Sequence, residues 1–410
     1  MILDAVVSYR SVPRLLKLFH TKTDINIHWI PHFTSVINWT LRLGLGLLTQ
    51  VTPIREQWAA IVDHSIDIGT KKALVVLRIP LDVLTKRQTA LTLADCECIG
   101  LKVSEKVNGE SIADDLNAIF AQAGDPSVII KDCDRTLQKG VRLCAQKRST
   151  EYPVIDDIGH VVARALKAEY EQSTAYKQFT SLTAKGAKRL RQTRLASLVP
   201  PKLRSKGRFQ SIGKLGQWGK KMLNILDFSG PPEKGSALEK LRQVFAELSV
   251  VEPFIHDFAN TAKITSKLMK ILKNKGLDLT SYQQCQHLIE KLDKPSKVKT
   301  HLQDWLQKHK KIQQQFPLTS LPVSSDIIES LFGHFKHIIE RSPQADMNRT
   351  TLLIPALCGN HNEAIVLQAL KHTRQHDLNN WDKENIPYTV RKERYQLLNN
   401  IQKTGELLVR

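Results

Sequence analysis

The chain changes its periodicity twice, and that change limits its fold more than any other feature. From residue 56 to 170, short apolar, β-branched runs mix with helical patterns. From 171 to 318 strand alternation disappears and only helical spacing recurs. The runs Trp58 to Ile68, Ala73 to Ile79, Cys96 to Ser104 and Ser127 to Lys131 read as strands. Glu110 to Ala123, Thr136 to Gln146 and Asp157 to Tyr170 read as helices. Three early strands followed by alternating helix and strand indicate an α/β domain with a mixed sheet. Ser236 to Leu248, Phe254 to Leu272, Ser281 to Leu292 and Lys297 to Gln315 are helical patterns of an all-α insertion. Pro200-Pro201, Gly230-Pro231-Pro232 and Pro295 punctuate it.

The α/β pattern resumes in the run Ser325 to Lys336. At about 100° per residue, Ile327, Ile328, Leu331, Phe332, Phe335, Ile338 and Ile339 form one broad apolar arc. Glu329, Gly333 and Lys336 share a stripe beside it. A carboxylate and a lysine two turns apart, with a bare glycine between, leave room for a metal and a phosphodiester. Two earlier acids have a related placement. Asp63 ends the run from Trp58 to Val62, and Asp132 ends the run from Val128 to Lys131. Functional groups of open α/β sheets gather where strands end. Hard cations such as Mg²⁺ take oxygen ligands, and paired ions clamp both oxygens of a phosphoryl displacement. Each acid also has a plain structural reading: a cap, a turn residue or part of a solvated face. Asp67 and Asp134 compete for the two aspartate roles, but Asp67 suits a turn and Asp134 a helix N-cap.

The balance of charge concerns partners. Lys and Arg number 60 against 40 Asp and Glu, a net charge of +20. Such an excess favours phosphate backbones or anionic membranes. Between Tyr170 and Leu226 there are thirteen Lys or Arg and one acid, Glu171. Lys188, Arg189, Arg191, Arg194, Lys202, Arg204, Lys206 and Arg208 are the candidate DNA contacts of this stretch, and Lys336 is a further one. Such cations neutralise phosphates and release counterions. The alternative is a solvated charged face. Trp218 could stack on an unpaired base, although helix core is the preferred reading for it.

The six cysteines fit no zinc or disulfide framework, and Cys96-Glu97-Cys98 is read as ordinary strand burial rather than a metal site. No apolar run reaches the roughly 20 residues of a membrane span. A reduced, cytoplasmic setting, nucleoid-associated when DNA is bound, is expected.

Domain limits follow from these patterns. Residues 1–55 read as two short helices resembling a helix-turn-helix, or alternatively as a helical cap. Residues 56–170 form the first part of the core, 171–318 the insertion, 319–373 the resumed core and 374–410 a polar tail.

Four segments carry a family resemblance. Trp58-Ala59-Ala60-Ile61-Val62-Asp63-His64-Ser65-Ile66-Asp67-Ile68-Gly69 is similar to a first-aspartate strand and turn. Ile129 to Gly140 is similar to a second-aspartate motif. Asp157-Ile158-Gly159-His160 resembles the Asp/Cys-x-x-His motif of mutator-like and hAT-like transposases. Ser325 to Lys336 resembles the helix bearing the final glutamate. Gln192-Thr193-Arg194 through Phe209 also resembles the start of the helical insertion in these relatives. The chain thus resembles a bacterial insertion-sequence transposase of the DDE class, over roughly residues 8 to 360. The resemblance implies a ribonuclease-H-like core and Asp63, Asp132 and Glu329 as catalytic metal ligands, with Asp157 and His160 in support. It further implies Mg²⁺ with Mn²⁺ as a substitute, double-stranded DNA as partner, a homo-oligomer on DNA, and strand cleavage followed by strand transfer. A nuclease of the same fold, or a truncated DNA-binding remnant, are the alternatives. There are departures. Lys131 and Cys133 flank Asp132 where relatives often have a small residue and a glycine, and His334 stands where lysine is common.

Overall fold

The computed structural model describes residues 1–64, 71–87, 89–105, 107–202, 209, 212–292, 295–339, 347–386 and 388–404. The chain opens with helices α1 (Ile2–Ala5), α2 (Ser11–Lys22) and α3 (Phe33–Thr49), then strands β1 (Trp58–Asp63) and β2 (Lys72–Pro80). Helix α4 (Val83–Arg87) precedes β3 (Glu97–Ser104), α5 (Gly109–Ala123), β4 (Val128–Lys131), α6 (Arg135–Lys147) and β5 (Val154–Asp156). Seven helices follow: α7 (Ile158–Tyr170), α8 (Thr174–Leu190), α9 (Gly213–Leu226), α10 (Ala237–Phe245), α11 (Glu252–Lys275), α12 (Leu279–Glu290) and α13 (Lys297–Gln313). The chain closes with α14 (Asp326–Ile339), α15 (Leu353–Ala356), α16 (Glu363–His372), α17 (Gln375–Asn385) and α18 (Val390–Thr404).

Two compact units share these elements. The first comprises Met1–Val83, Leu91–Ile155 and Ser324–Arg410, and the second Leu84–Ala90 and Asp156–Val323.

The first unit carries a five-stranded sheet of order β3-β2-β1-β4-β5. Strands β1, β2 and β3 pair antiparallel, and β4 lies parallel to β1. This is the mixed ribonuclease-H-like sheet expected from the sequence. Strand β1 is buried along its whole length, and β2 is buried from Ala73 to Ile79. Such runs are continuous rather than alternating because both sheet faces are covered. On one face Trp58, Ala60, Val62, Leu74, Val76, Ile99 and Ile129 pack with Ile112, Leu116 and Phe120 of α5 and Leu137, Val141 and Cys144 of α6. Helix α5 starts where Asn108 and Ser111 exchange hydrogen bonds in a capping box. Helix α6 starts on the side chain of Asp134.

Helices α2 and α3 form, and most of the second half of α3 is buried. Val36, Thr40, Leu41, Leu43, Leu45 and Gly46 are buried, and α3 packs against α15, α16, α17 and β3. The Arg42 guanidinium donates to the carbonyls of Thr373, at 2.6 Å, and Leu370. At Gly44 the backbone of Leu352 comes so close that a Cβ would lie 1.7 Å from its carbonyl oxygen. Helix α3 thus packs on the resumed core and the C-terminal helices.

The second unit is all-α, apart from an isolated bridge between Leu277 and Leu321. Its centre is aromatic. Tyr170, Tyr176, Phe179, Phe254 and Phe258 meet at centroid distances from 5.0 to 6.5 Å. Helix α7 belongs here, so the helical unit begins at Asp156 rather than at residue 171. The reason is packing: α7 lies against α13 and α11. Helices α8 and α9 fill the basic stretch, where the sequence showed charge more clearly than periodicity.

Candidate active site

Asp63 and Asp132 arrive at neighbouring strand ends because their strands pair in register. Val62 of β1 faces Lys131 of β4 in the parallel ladder. One step beyond that pair come Asp63, the last residue of β1, and Asp132, the first residue after β4, on strands spaced about 4.8 Å apart. Side chains alternate along a strand, so Asp63 shares the face of Ala59 and Ile61, opposite the face covered by α5 and α6. It is 5% exposed. Its Oδ1 accepts the backbone N–H of His64 at 2.6 Å.

The loop after β4 is held by its own acids. Asp132 Oδ1 accepts the N–H of Asp134 at 2.8 Å, which closes an Asx turn. Asp134 Oδ1 accepts the N–H groups of Thr136 and Leu137 at 2.8 and 3.0 Å and so caps α6. That is the role expected for Asp134, and it leaves Asp132 as the acid nearer the strand end. The same Asp134 oxygen lies 3.2 Å from Nε2 of His64. Burial pushes the Asp134 carboxyl up, but the bonds from Leu137, His64 and Thr136 outweigh it and hold it below the usual carboxylate range. His64 thus ties the end of β1 to the start of α6, a role sequence reasoning missed. Its position next to Asp63 was the only available signal. The Nδ1 atom of His64 is buried without a hydrogen-bond partner. Lys131, 2% exposed, turns its ammonium back to the carbonyl of Asp132 at 3.1 Å.

Glu329 lies in the first turn of α14. Ile327, Ile328, Leu331, Phe332 and Phe335 bury the apolar arc, while Glu329 and Gly333 are exposed and Lys336 half-buried. The space beside Gly333 is open. Both the stripe and the arc therefore form as the spacing requires. Among the described residues, however, no three His, Cys, Asp or Glu side chains form a group able to hold a metal ion. Asp63 and Asp132 come at neighbouring strand ends of the β1–β4 ladder, and Glu329 is not gathered with them into such a group. The donor set of the two aspartates still suits Mg²⁺, which is commonly bound through one or two carboxylates and completed by waters and substrate phosphates.

The basic candidates of the insertion fall in the second unit. Lys188 and Arg189 lie in the last turn of α8, and Arg191, Arg194 and Lys202 follow it. All five are exposed. Arg204, Lys206 and Arg208, like Asp67 of the first unit, lie outside the described residues. Trp218 is engaged as core: its indole N–H donates to the carbonyl of Leu198 at 3.0 Å, and its ring meets Phe245 edge-on at 5.3 Å. Phe209 stacks on Tyr176.

Asp157 and His160 form a pair in that unit. Asp157 is 1% exposed and caps α7, accepting the N–H of His160 at 2.7 Å. Its Oδ1 also lies 3.0 Å from Nδ1 of the half-exposed His160 ring. His309 is the buried histidine of this unit. Its Nδ1–H donates to Trp305 and its Nε2 accepts the N–H of Asp156, a neutral and fully structural tautomer.

Cys96 and Cys98 are buried, and burial pushes the Cys98 thiol up to about 12 and that of Cys96 higher still. Among the described residues no helix is long and apolar enough to cross a membrane.

No family model matches the chain, and no curated protein matches it. Among solved structures, the Drosophila P element transposase strand transfer complex is similar at 11% sequence identity, over 86% of this chain and 90% of that chain, with a TM-score of 0.43. At that score the likeness carries no argument about activity.

Proposed function

We propose that the chain is a DDE transposase that cleaves double-stranded DNA and transfers the freed strand end to a target. The observation that carries this reading is the pair Asp63 and Asp132 at the adjacent ends of parallel strands β1 and β4. Rigid strands hold both carboxylates, and the hydrogen bonds of His64 and Asp134 fix the two turns that follow them. In this reading the two aspartates hold Mg²⁺ or Mn²⁺, and Glu329 completes the ligand set. A divalent metal there supplies charge neutralisation at the scissile phosphate and a more acidic attacking water or hydroxyl. Lys336 holds a neighbouring phosphate as a point charge. The exposed cations from Lys188 to Lys202 bind DNA largely without regard to sequence. Asp157 orients His160 in support of the DNA. Action at two DNA ends implies a homo-oligomer, and the setting is the bacterial cytoplasm at the nucleoid.

The test is a product gel. The full chain is incubated with Mg²⁺ or Mn²⁺ and duplex DNA that carries the sequences flanking its gene, beside Asp132→Ala. Metal-dependent cut and joined products, lost in the variant while DNA binding persists, are expected. Cutting without joining would assign the chain to nucleases of this fold. Binding without either product would leave the aspartates as a remnant and overturn the proposal.

A further inference from the structure

A groove between α11 and α12 lies outside every site described so far. It encloses about 430 Å³, its lining surface is almost wholly apolar, and Lys267, Lys270, Lys275, Asn274, Gln284 and His287 border it around Ile271 and Leu288. Lys263 continues the same stripe of α11, since positions 263, 267, 270 and 274 recur at helical spacing. Lys263, Lys267, Lys270 and Lys275 are all exposed. From Phe258 to Lys275 the helix contains no acid. On α12 the only acid is Glu290, which sits 4.0 Å from His287. The cationic wall is therefore not neutralised from either of its own helices.

We propose that the exposed lysine row bordering this groove is a second DNA-binding surface that grips the phosphodiester backbone of a duplex. The inference rests on the DNA-processing reading above and extends it to residues that the sequence did not single out. Three features favour this partner. Residues 263 to 275 extend along about 18 Å of helix axis, a line of charge rather than a point, which suits a polyanion. Duplex DNA offers one charge per roughly 1.7 Å of its own axis, so a phosphate is always near each ammonium. Lysine ammonium groups take phosphates as point charges. The floor of Ile271 and Leu288 carries no hydrogen-bonding group, so the surface holds the backbone without reading bases.

The experiment is a salt titration of DNA affinity. Fluorescence anisotropy of a labelled duplex is followed against KCl for the full chain and for Lys267→Gln/Lys270→Gln/Lys275→Gln. Each lost phosphate contact lowers the slope of log affinity against log salt by about 0.9, so the triple variant is expected to lose roughly 2.7 units of slope. Lys270→Arg, which keeps the charge, is expected to retain the wild-type slope. Matching circular dichroism and unfolding midpoints exclude misfolding as the cause. A triple variant with the wild-type slope and affinity, in a chain that binds DNA, would overturn this inference alone. Binding of a polyglutamate probe that the triple substitution abolishes, with DNA affinity untouched, would assign the groove to an acidic protein and overturn it as well. A wild-type chain that binds no duplex at all would remove both this inference and the transposase reading.

Discussion

Asp63→Asn is expected to slow metal-dependent strand cleavage by about 10³-fold or more while leaving the fold intact. Asparagine has the shape of aspartate, and its amide oxygen can still accept the His64 N–H that Asp63 Oδ1 accepts at 2.6 Å. What it removes is the negative charge at the end of β1. A metal ligand's charge is worth several kcal/mol of transition-state stabilisation, and about 4 kcal/mol corresponds to three decades of rate. The readout is single-turnover cleavage of a duplex, with binding measured separately. Wild-type rates in Asp63→Asn would show that the strand-end carboxylate does no chemistry. Loss of binding together with cleavage would instead show a structural or DNA-anchoring role.

Gly44→Ala is expected to be the most damaging single methyl in the first unit. The added Cβ would lie 1.7 Å from the carbonyl oxygen of Leu352 and 2.8 Å from its carbonyl carbon. Those are backbone atoms, so no rotamer change relieves the clash. Either α3 or the 3-10 turn Arg349–Leu352 must shift, and α3 is held there by Arg42 on Leu370 and Thr373. Overpacking of this kind costs about 1–3 kcal/mol, and a clash with backbone belongs at or above the upper end. Gly333→Ala provides the contrast. Nothing lies within 4 Å of its Cβ position, and replacing an exposed mid-helix glycine should stabilise the chain by roughly 0.5–1 kcal/mol. Urea midpoints of the two variants should therefore move in opposite directions.

How much of this was legible in the sequence depended on whether the signal was local. Strands β1 and β4 were readable because their runs are apolar, β-branched and end in an acid. The cap at Asp134 was readable for the same reason, since it needs only the three residues after it. Strand β5 was missed because three residues, Val154–Asp156, show no period at all. Helices α8 and α9 were obscured because several of their buried positions hold Thr183, Gly186, Gly216 and Gly219, which a hydropathy reading passes over. The glycines are small for a reason found elsewhere in the chain: Gly186 meets the ring of Phe245, and Gly219 the ring of Phe179 and a methyl group of Ile255. Helix α3 was found but its packing was not legible, because its partners α15 and α16 lie far along the chain. The start of the helical unit at Asp156 depends in the same way on α13, more than a hundred residues away. At the site, pairing of β1 with β4 could be guessed from two similar strand ends. The position of Glu329 could not, because helix periodicity sets its face on α14 and says nothing of its distance from the strands.

Direct measurement of metal at the strand ends tests the central claim most closely. Mn²⁺ would be titrated into the full chain in complex with duplex DNA and followed by electron paramagnetic resonance, beside Asp63→Asn and Asp132→Asn. Tight Mn²⁺ binding to the wild-type complex, lost or strongly weakened in both variants while they still hold DNA, is the expected result. Mn²⁺ binding that neither substitution changes would mean that Asp63 and Asp132 do not form a metal site.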